Sequence, residues 1–204
     1  GGGGVSGPEA RAEVPSEWKE VLGKGLDYIA GKTGPISEWE AFALARAGRP
    51  VPDSFLPSVI SLIKENGGQF RKTTDYARLI LVLKALGQNP GNIAGFDLIE
   101  RMMQNSHMTS QGVNGPAFAL IALNSAGYAV PEGARWTRDQ LIEWILKQQN
   151  EDGGFALDKS GGMASDVDVT ALVLQGLAKD RHREDVREAT EKALDWLSKQ
   201  QLDN

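Results

Sequence analysis

Lys147-Gln148-Gln149-Asn150-Glu151-Asp152-Gly153-Gly154-Phe155 decides how this chain is read, because its opening returns, cut short, as Lys199-Gln200-Gln201-Leu202-Asp203-Asn204. Each copy closes an amphipathic helix that carries an aromatic-aliphatic pair, Trp144-Ile145 in one and Trp196-Leu197 in the other. A helix end that recurs together with its preceding pair marks a chain built from copies of one helical hairpin, so the fold becomes a question of stacking like units. The second copy stops before its Gly-Gly-aromatic turn, and the expectation is a longer protein or a half that a partner completes.

Working outward, helix punctuation divides the rest. Ser16 can cap a helix that ends at Gly31, and Ser37-Glu38-Trp39-Glu40 is a capping box opening a shorter one that ends at Gly48. Residues 55–65, stopped by Asn66-Gly67-Gly68, pair with 74–86, stopped by Gly87; residues 96–105 pair with 116–126, stopped by Gly127. Thr137-Arg138-Asp139-Gln140 is another capping box, and the helix behind it sets Leu141, Ile142, Ile145 and Leu146 on one stripe with Arg138, Glu143 and Lys147 opposite. Its partner over 166–178 has little polar face beyond its first turn: Val167, Val169, Ala171, Leu172, Val173, Leu174 and Leu177 dominate. The same contrast runs through the second and third hairpins, so an outer helix precedes a greasier inner one in each. The stops Gly48, Gly87, Gly127 and Ala178 recur at roughly 40 residues, with an insertion in the last unit, a period suited to paired helices. A final helix over 183–200 opens a fifth unit and lacks its inner mate. The reading is an all-α domain over 16–204 behind a flexible Gly-rich linker at 1–15.

Composition narrows the function. The chain is long enough, at 204 residues and 41% hydrophobic, to bury a substantial core. A net charge of −5 with Lys and Arg scattered among Asp and Glu leaves no basic footprint for phosphate backbones, so nucleic acid is not an expected partner. No apolar run approaches the roughly 20 residues needed to span a bilayer. The absence of cysteine removes thiolate metal sites, disulfides and cysteine nucleophiles together. That absence suits a Gram-positive type of exterior, and it suits the cytosol as well.

Residues 142–155, with Trp-Ile, then Gln-Gln, then Asp-Gly-Gly-Phe, resemble the glutamine-and-aromatic repeat of the squalene cyclase and protein prenyltransferase superfamily. Asn66-Gly67-Gly68-Gln69-Phe70 and Ser110-Gln111-Gly112-Val113 are degraded echoes of it. The resemblance implies that the hairpins form a partial or complete α/α toroid, with inner helices around a central cavity. Within the motif, Gln148 or Gln149 can hydrogen-bond into a neighbouring loop or helix end, Gly153-Gly154 permits the backbone to return inward, and Phe155 plugs the gap between layers.

Chemistry has one candidate locus. Asp166-Val167-Asp168-Val169-Thr170-Ala171 resembles the Asp-rich signature of the class II terpenoid cyclases, which implies Asp168 as proton donor with Asp166 beside it, although Val169 stands where the family carries a further Asp. Such an acid must be kept protonated in a dry pocket. The same hexapeptide is also a helix start, with Ser165 capping and Asp168 closing a capping box. A cation held by Asp158, Asp166 and Asp168 is a third reading, and no cofactor is otherwise expected. The zinc set of the prenyltransferases and the Cys-Gly-Glu-Gln segment of thioester domains both need cysteine, which this chain lacks. The leading expectation is therefore a noncatalytic binding module of an exported or surface protein, with Phe155, Ser165, Asp166, Asp168 and Thr170 as the surface to inspect. Its partner would be an apolar or corrinoid-like small molecule, a peptide or another protein. His107 and His182 stand in polar loops, without a Ser or Asp at a catalytic spacing.

Overall fold

Two capping boxes read from the sequence are formed. Ser37 Oγ accepts from Glu40 N at 3.2 Å while Glu40 Oε1 accepts from Ser37 N at 3.3 Å, and Thr137 Oγ1 accepts from Gln140 N at 3.2 Å while Gln140 Oε1 accepts from Thr137 N at 2.9 Å. Each box satisfies amide donors that a helix start leaves orphaned. A computed structural model describes residues 37–202; the linker at 1–15 and the expected helix at 16–31 lie outside the described residues. Among them are eight α-helices and no strand: α1 Glu38–Arg46, α2 Phe55–Glu65, α3 Thr73–Ala85, α4 Leu98–Met103, α5 Asn114–Asn124, α6 Arg138–Leu146, α7 Val167–Leu177 and α8 Glu184–Leu202. The described residues are all-α, as expected.

Most helices end where the sequence places a stop. Gly48, Gly87 and Gly127 follow α1, α3 and α5 with φ of 69°, 75° and 63°. The fourth stop behaves differently: the chain continues past Ala178 as a 3₁₀ turn, Ala178–Asp180. The reason is tertiary. Asp180 is drawn into the protein by Arg138 on α6, which donates through Nε at 3.0 Å and Nη2 at 2.7 Å to its two carboxylate oxygens.

The odd-numbered helices pack successively, α1 on α3, α3 on α5 and α5 on α7. The contrast in burial is sharpest between α5 and α6: every residue of α5 from Gly115 to Leu123 is buried, whereas α6 buries only Leu141, Ile142 and Ile145. A helix apolar all round must be surrounded, and one with a single apolar stripe belongs on a surface. α5 and α7 approach closely, because a Cβ at Gly176 would lie 3.0 Å from the carbonyl oxygen of Ala117. Trp39 of α1 also reaches Phe118 of α5, with ring centroids 6.1 Å apart.

Pairing departs from the expectation. The sequence groups each outer helix with the inner helix after it, but α4 packs more extensively on α3 than on α5, α6 packs on α5, and α8 packs on α7. The long connection 147–166 folds into a turn of its own, which separates α6 from α7. The final helix α8 consequently has an inner neighbour in α7, where the sequence reading left it without one.

Candidate functional site

The turn that follows α6 is built against the start of α7. Gln149 and Phe155 pair across it as an isolated β-bridge, Asn150 N donates to Gly154 O at 2.9 Å, and Gly153 N donates to Asn150 O at 3.0 Å. Gly153 has φ of 96°, and a Cβ there would stand 2.5 Å from Lys192 O on α8. Only glycine fits. Of the two glutamines, Gln149 makes the expected tie: its Nε2 donates to Gly153 O at 2.9 Å and to Ala189 O of α8 at 3.0 Å. Gln148 Oε1 instead faces Lys159 N at 3.4 Å.

The five candidate residues divide by exposure. Phe155 and Thr170 are both 0% exposed. Phe155 N donates to Thr170 Oγ1 at 2.9 Å, Thr170 Oγ1 donates to Asp166 O at 2.7 Å, and Asp166 N donates to Phe155 O at 2.8 Å. These bonds sew the turn to the first turn of α7. Ser165 is half-buried; its hydroxyl donates to Asp152 Oδ1 at 2.7 Å and accepts from Asn150 Nδ2 at 2.9 Å. The cap moves one residue on from the expected Ser165, since Asp166 Oδ1 accepts from Val169 N at 2.9 Å. Asp168 therefore occupies the second helical position, outside any capping box, with its side chain exposed. Phe155, Ser165, Asp166 and Thr170 are thus brought together by structural bonds, and Asp168 stands apart from them.

Thr170 carries a direct test. Thr170→Val keeps the side-chain shape but leaves the buried Phe155 N–H without its acceptor, and it is expected to cost about 1–3 kcal/mol in urea unfolding. An unchanged midpoint would show that the latch contributes nothing.

The cation reading gathers no site. Asp158 Oδ1 is engaged by its own loop, accepting from Ser160 N at 2.9 Å and Ser160 Oγ at 2.6 Å, and those bonds hold its carboxyl below the usual aspartate range. Among the described residues no three His, Asp or Glu side chains converge to hold a metal ion. His107 and His182 are both exposed.

Open surface features lie elsewhere, and the sequence reading missed them. One groove of about 320 Å³ is lined by Arg135, Trp136, Gln140, Glu143, Trp144 and Lys147. Through Ser106 it adjoins a second of about 510 Å³ that includes Phe70, Arg71, Tyr76, Glu100, Arg101 and His107. Both tryptophans are half-buried, so each shows part of its ring to solvent. Tyr76 Oη accepts from Phe70 N at 2.8 Å, and burial pushes its hydroxyl pKa up. The signal available in the sequence was Trp136 directly before the Thr137 cap, combined with Trp144 two turns later. A third groove, about 680 Å³, lies at the opposite ends of the inner helices around Arg138 and Asp180. No described helix is long and apolar enough to cross a membrane. Comparison of the chain with protein-family models, with curated proteins and with solved structures finds no match.

Proposed function

We propose that this chain is a noncatalytic binding module, an arc of an α/α toroid from an exported or surface protein, that takes an acidic extended peptide of a partner in the joined grooves beside Trp136 and Trp144. The observation that carries the reading is the lining: Arg71, Arg101, Arg135 and Lys147 against Glu100 and Glu143, with the half-buried Phe70, Trp136 and Trp144 between them. A locally basic groove on a chain of net charge −5 attracts acidic segments, and partly exposed aromatic rings supply rigid anchors for side chains between the charges. The toroid reading draws support from the succession α1, α3, α5, α7, with α4, α6 and α8 packed on its members.

The rival reading, acid-initiated cyclisation of an isoprenoid at Asp168, finds less support. Burial is what keeps such an acid protonated, and the Asp168 side chain is exposed. The three grooves described above also open to solvent, whereas a carbocation needs enclosure.

The test is selection from a random peptide library displayed on phage, with the full chain as bait. Acidic sequences carrying an aromatic or aliphatic anchor should be enriched, should bind more weakly as salt rises, and should lose roughly tenfold or more in affinity to Trp144→Ala and to Arg135→Glu. Enrichment without acidic bias, or binding unaltered by both variants, would overturn the proposal. So would conversion of squalene to cyclic product by the native chain with loss in Asp168→Asn.

A further inference from the structure

The groove of about 680 Å³ around Arg138 and Asp180 takes no part in the peptide reading. It lies where three inner helices run out together, lined by Lys84 in the last turn of α3, by residues 124–128 after α5, and by Lys179 and Asp180 after α7. Helix ends normally leave carbonyl oxygens free, which would favour a cation. Here the chain's own donors take several of them: Lys84 O accepts from Gly87 N at 3.0 Å, Leu123 O from Tyr128 N at 2.9 Å and Gly176 O from Asn124 Nδ2 at 3.4 Å. What remains free is donors. Among the described residues the exposed ammonium groups of Lys84 and Lys179 enter no ion pair or hydrogen bond, and the Tyr128 hydroxyl has no partner. Burial pushes that hydroxyl's pKa up, so near neutral pH it is a donor and not an anion. Arg138 spends Nε and Nη2 on Asp180 and Asn124, which neutralises the carboxylate and leaves Nη1 unpaired.

We infer that this groove binds a small organic dianion, carboxylate or phosphate, whose charges are met by Lys84 and Lys179 and whose body lies against the half-buried Tyr128 ring. Charge decides the sign of the ligand. Three cations around one neutralised carboxylate make a locally positive site on a chain of net charge −5. Two free ammonium groups on separate helix ends call for two negative charges, because a single charge would leave one of them unmatched. Size decides the class: ligand pockets run to about 300–1,000 Å³, so this volume suits a metabolite, whereas a folded partner needs a far broader contact. Neither tryptophan of the peptide groove takes part, so the two readings fail separately.

The test is titration of the isotopically labelled full chain with glutarate and, separately, with phenyl phosphate, at neutral pH and fixed ionic strength. At least one probe should give saturable shifts of the amide signals at 124–128 and 178–180, with a dissociation constant on the order of 1 mM, and the tighter of the two names the anionic group. Lys84→Gln and Lys179→Gln, both exposed, should fold as the parent does; each should weaken binding about threefold, and together about tenfold. Tyr128→Phe should weaken it about twofold to fivefold, as for one lost hydrogen bond. Lys147→Gln, in the tryptophan-lined groove, should change nothing. Failure of both probes to saturate by about 50 mM overturns the inference. So does an affinity that the double lysine variant leaves unaltered, a set of shifts reproduced by sodium chloride alone, or equal binding of uncharged glutaramide.

Discussion

Gly112→Ala is expected to destabilise the protein by about 4 kcal/mol, adding left-handed strain, a backbone clash and one lost hydrogen bond. Gly112 has φ of 61°, and a Cβ built there would lie 1.8 Å from the carbonyl oxygen of Leu157. That carbonyl also accepts from Val113 N at 2.9 Å, so the 156–158 segment cannot move away without giving up the bond that holds it to the start of α5. For a domain this size each kcal/mol shifts the melting temperature by about 2–4 °C, so Gly112→Ala should melt roughly 8–16 °C early. The control is Gly133→Ala. Gly133 has a similar φ of 78° but nothing within 4 Å of the added carbon, and it should cost only about 1 kcal/mol. Equal losses at both positions would mean that backbone strain, and not the contact with Leu157, governs Gly112.

Arg138→Met is expected to cost about 2–4 kcal/mol. Asp180 is only 6% exposed, and Arg138 grips both of its oxygens while donating to Asn124 Oδ1 at 2.6 Å. Removing the guanidinium leaves a carboxylate buried without its partner, which is the costly way to break an ion pair. The figure is set below the largest losses of this kind because the Arg138 side chain is 29% exposed, so water screens part of the interaction. Arg138→Met with Asp180→Leu should recover most of the loss, since two apolar side chains need no compensation. By contrast Lys199→Met, which breaks an exposed i,i+4 pair with Asp195, should change stability by less than about 0.5 kcal/mol. Chemical denaturation of the three variants beside the parent chain distinguishes these outcomes. A double variant as unstable as Arg138→Met would show that the pair acts through something other than its charge.

These two sites illustrate what a sequence reader can and cannot see. Gly112 was visible as part of a degraded motif, Ser110-Gln111-Gly112-Val113, but nothing local says that Leu157 lies against it. Arg138 was visible as the polar side of α6, and its partner lies 42 residues away in a turn that the sequence reading ended at Ala178. The candidate locus at 165–170 was partly legible. Its role as a helix start holds, and the cap moved from Ser165 to Asp166 because the Ser165 hydroxyl is committed to Asp152 and Asn150 across the turn. The grooves were not legible, because their lining comes from residues 69–76, 100–107 and 135–147, and no composition average of a chain with net charge −5 reveals a local excess of arginine.

Alone, the sequence determined the helical class, the positions of the eight described helices to within a few residues, two capping boxes and the difference between greasy and striped helices. All of these follow from hydrogen bonds and side-chain periodicities that close within a few positions of each other. Only the tertiary structure decided that α4, α6 and α8 lean on the inner helix before them, and that Gln149 and not Gln148 reaches α8. Those outcomes depend on which surfaces meet across tens of residues, and there shape and charge complementarity between distant side chains replace local propensity as the deciding physics.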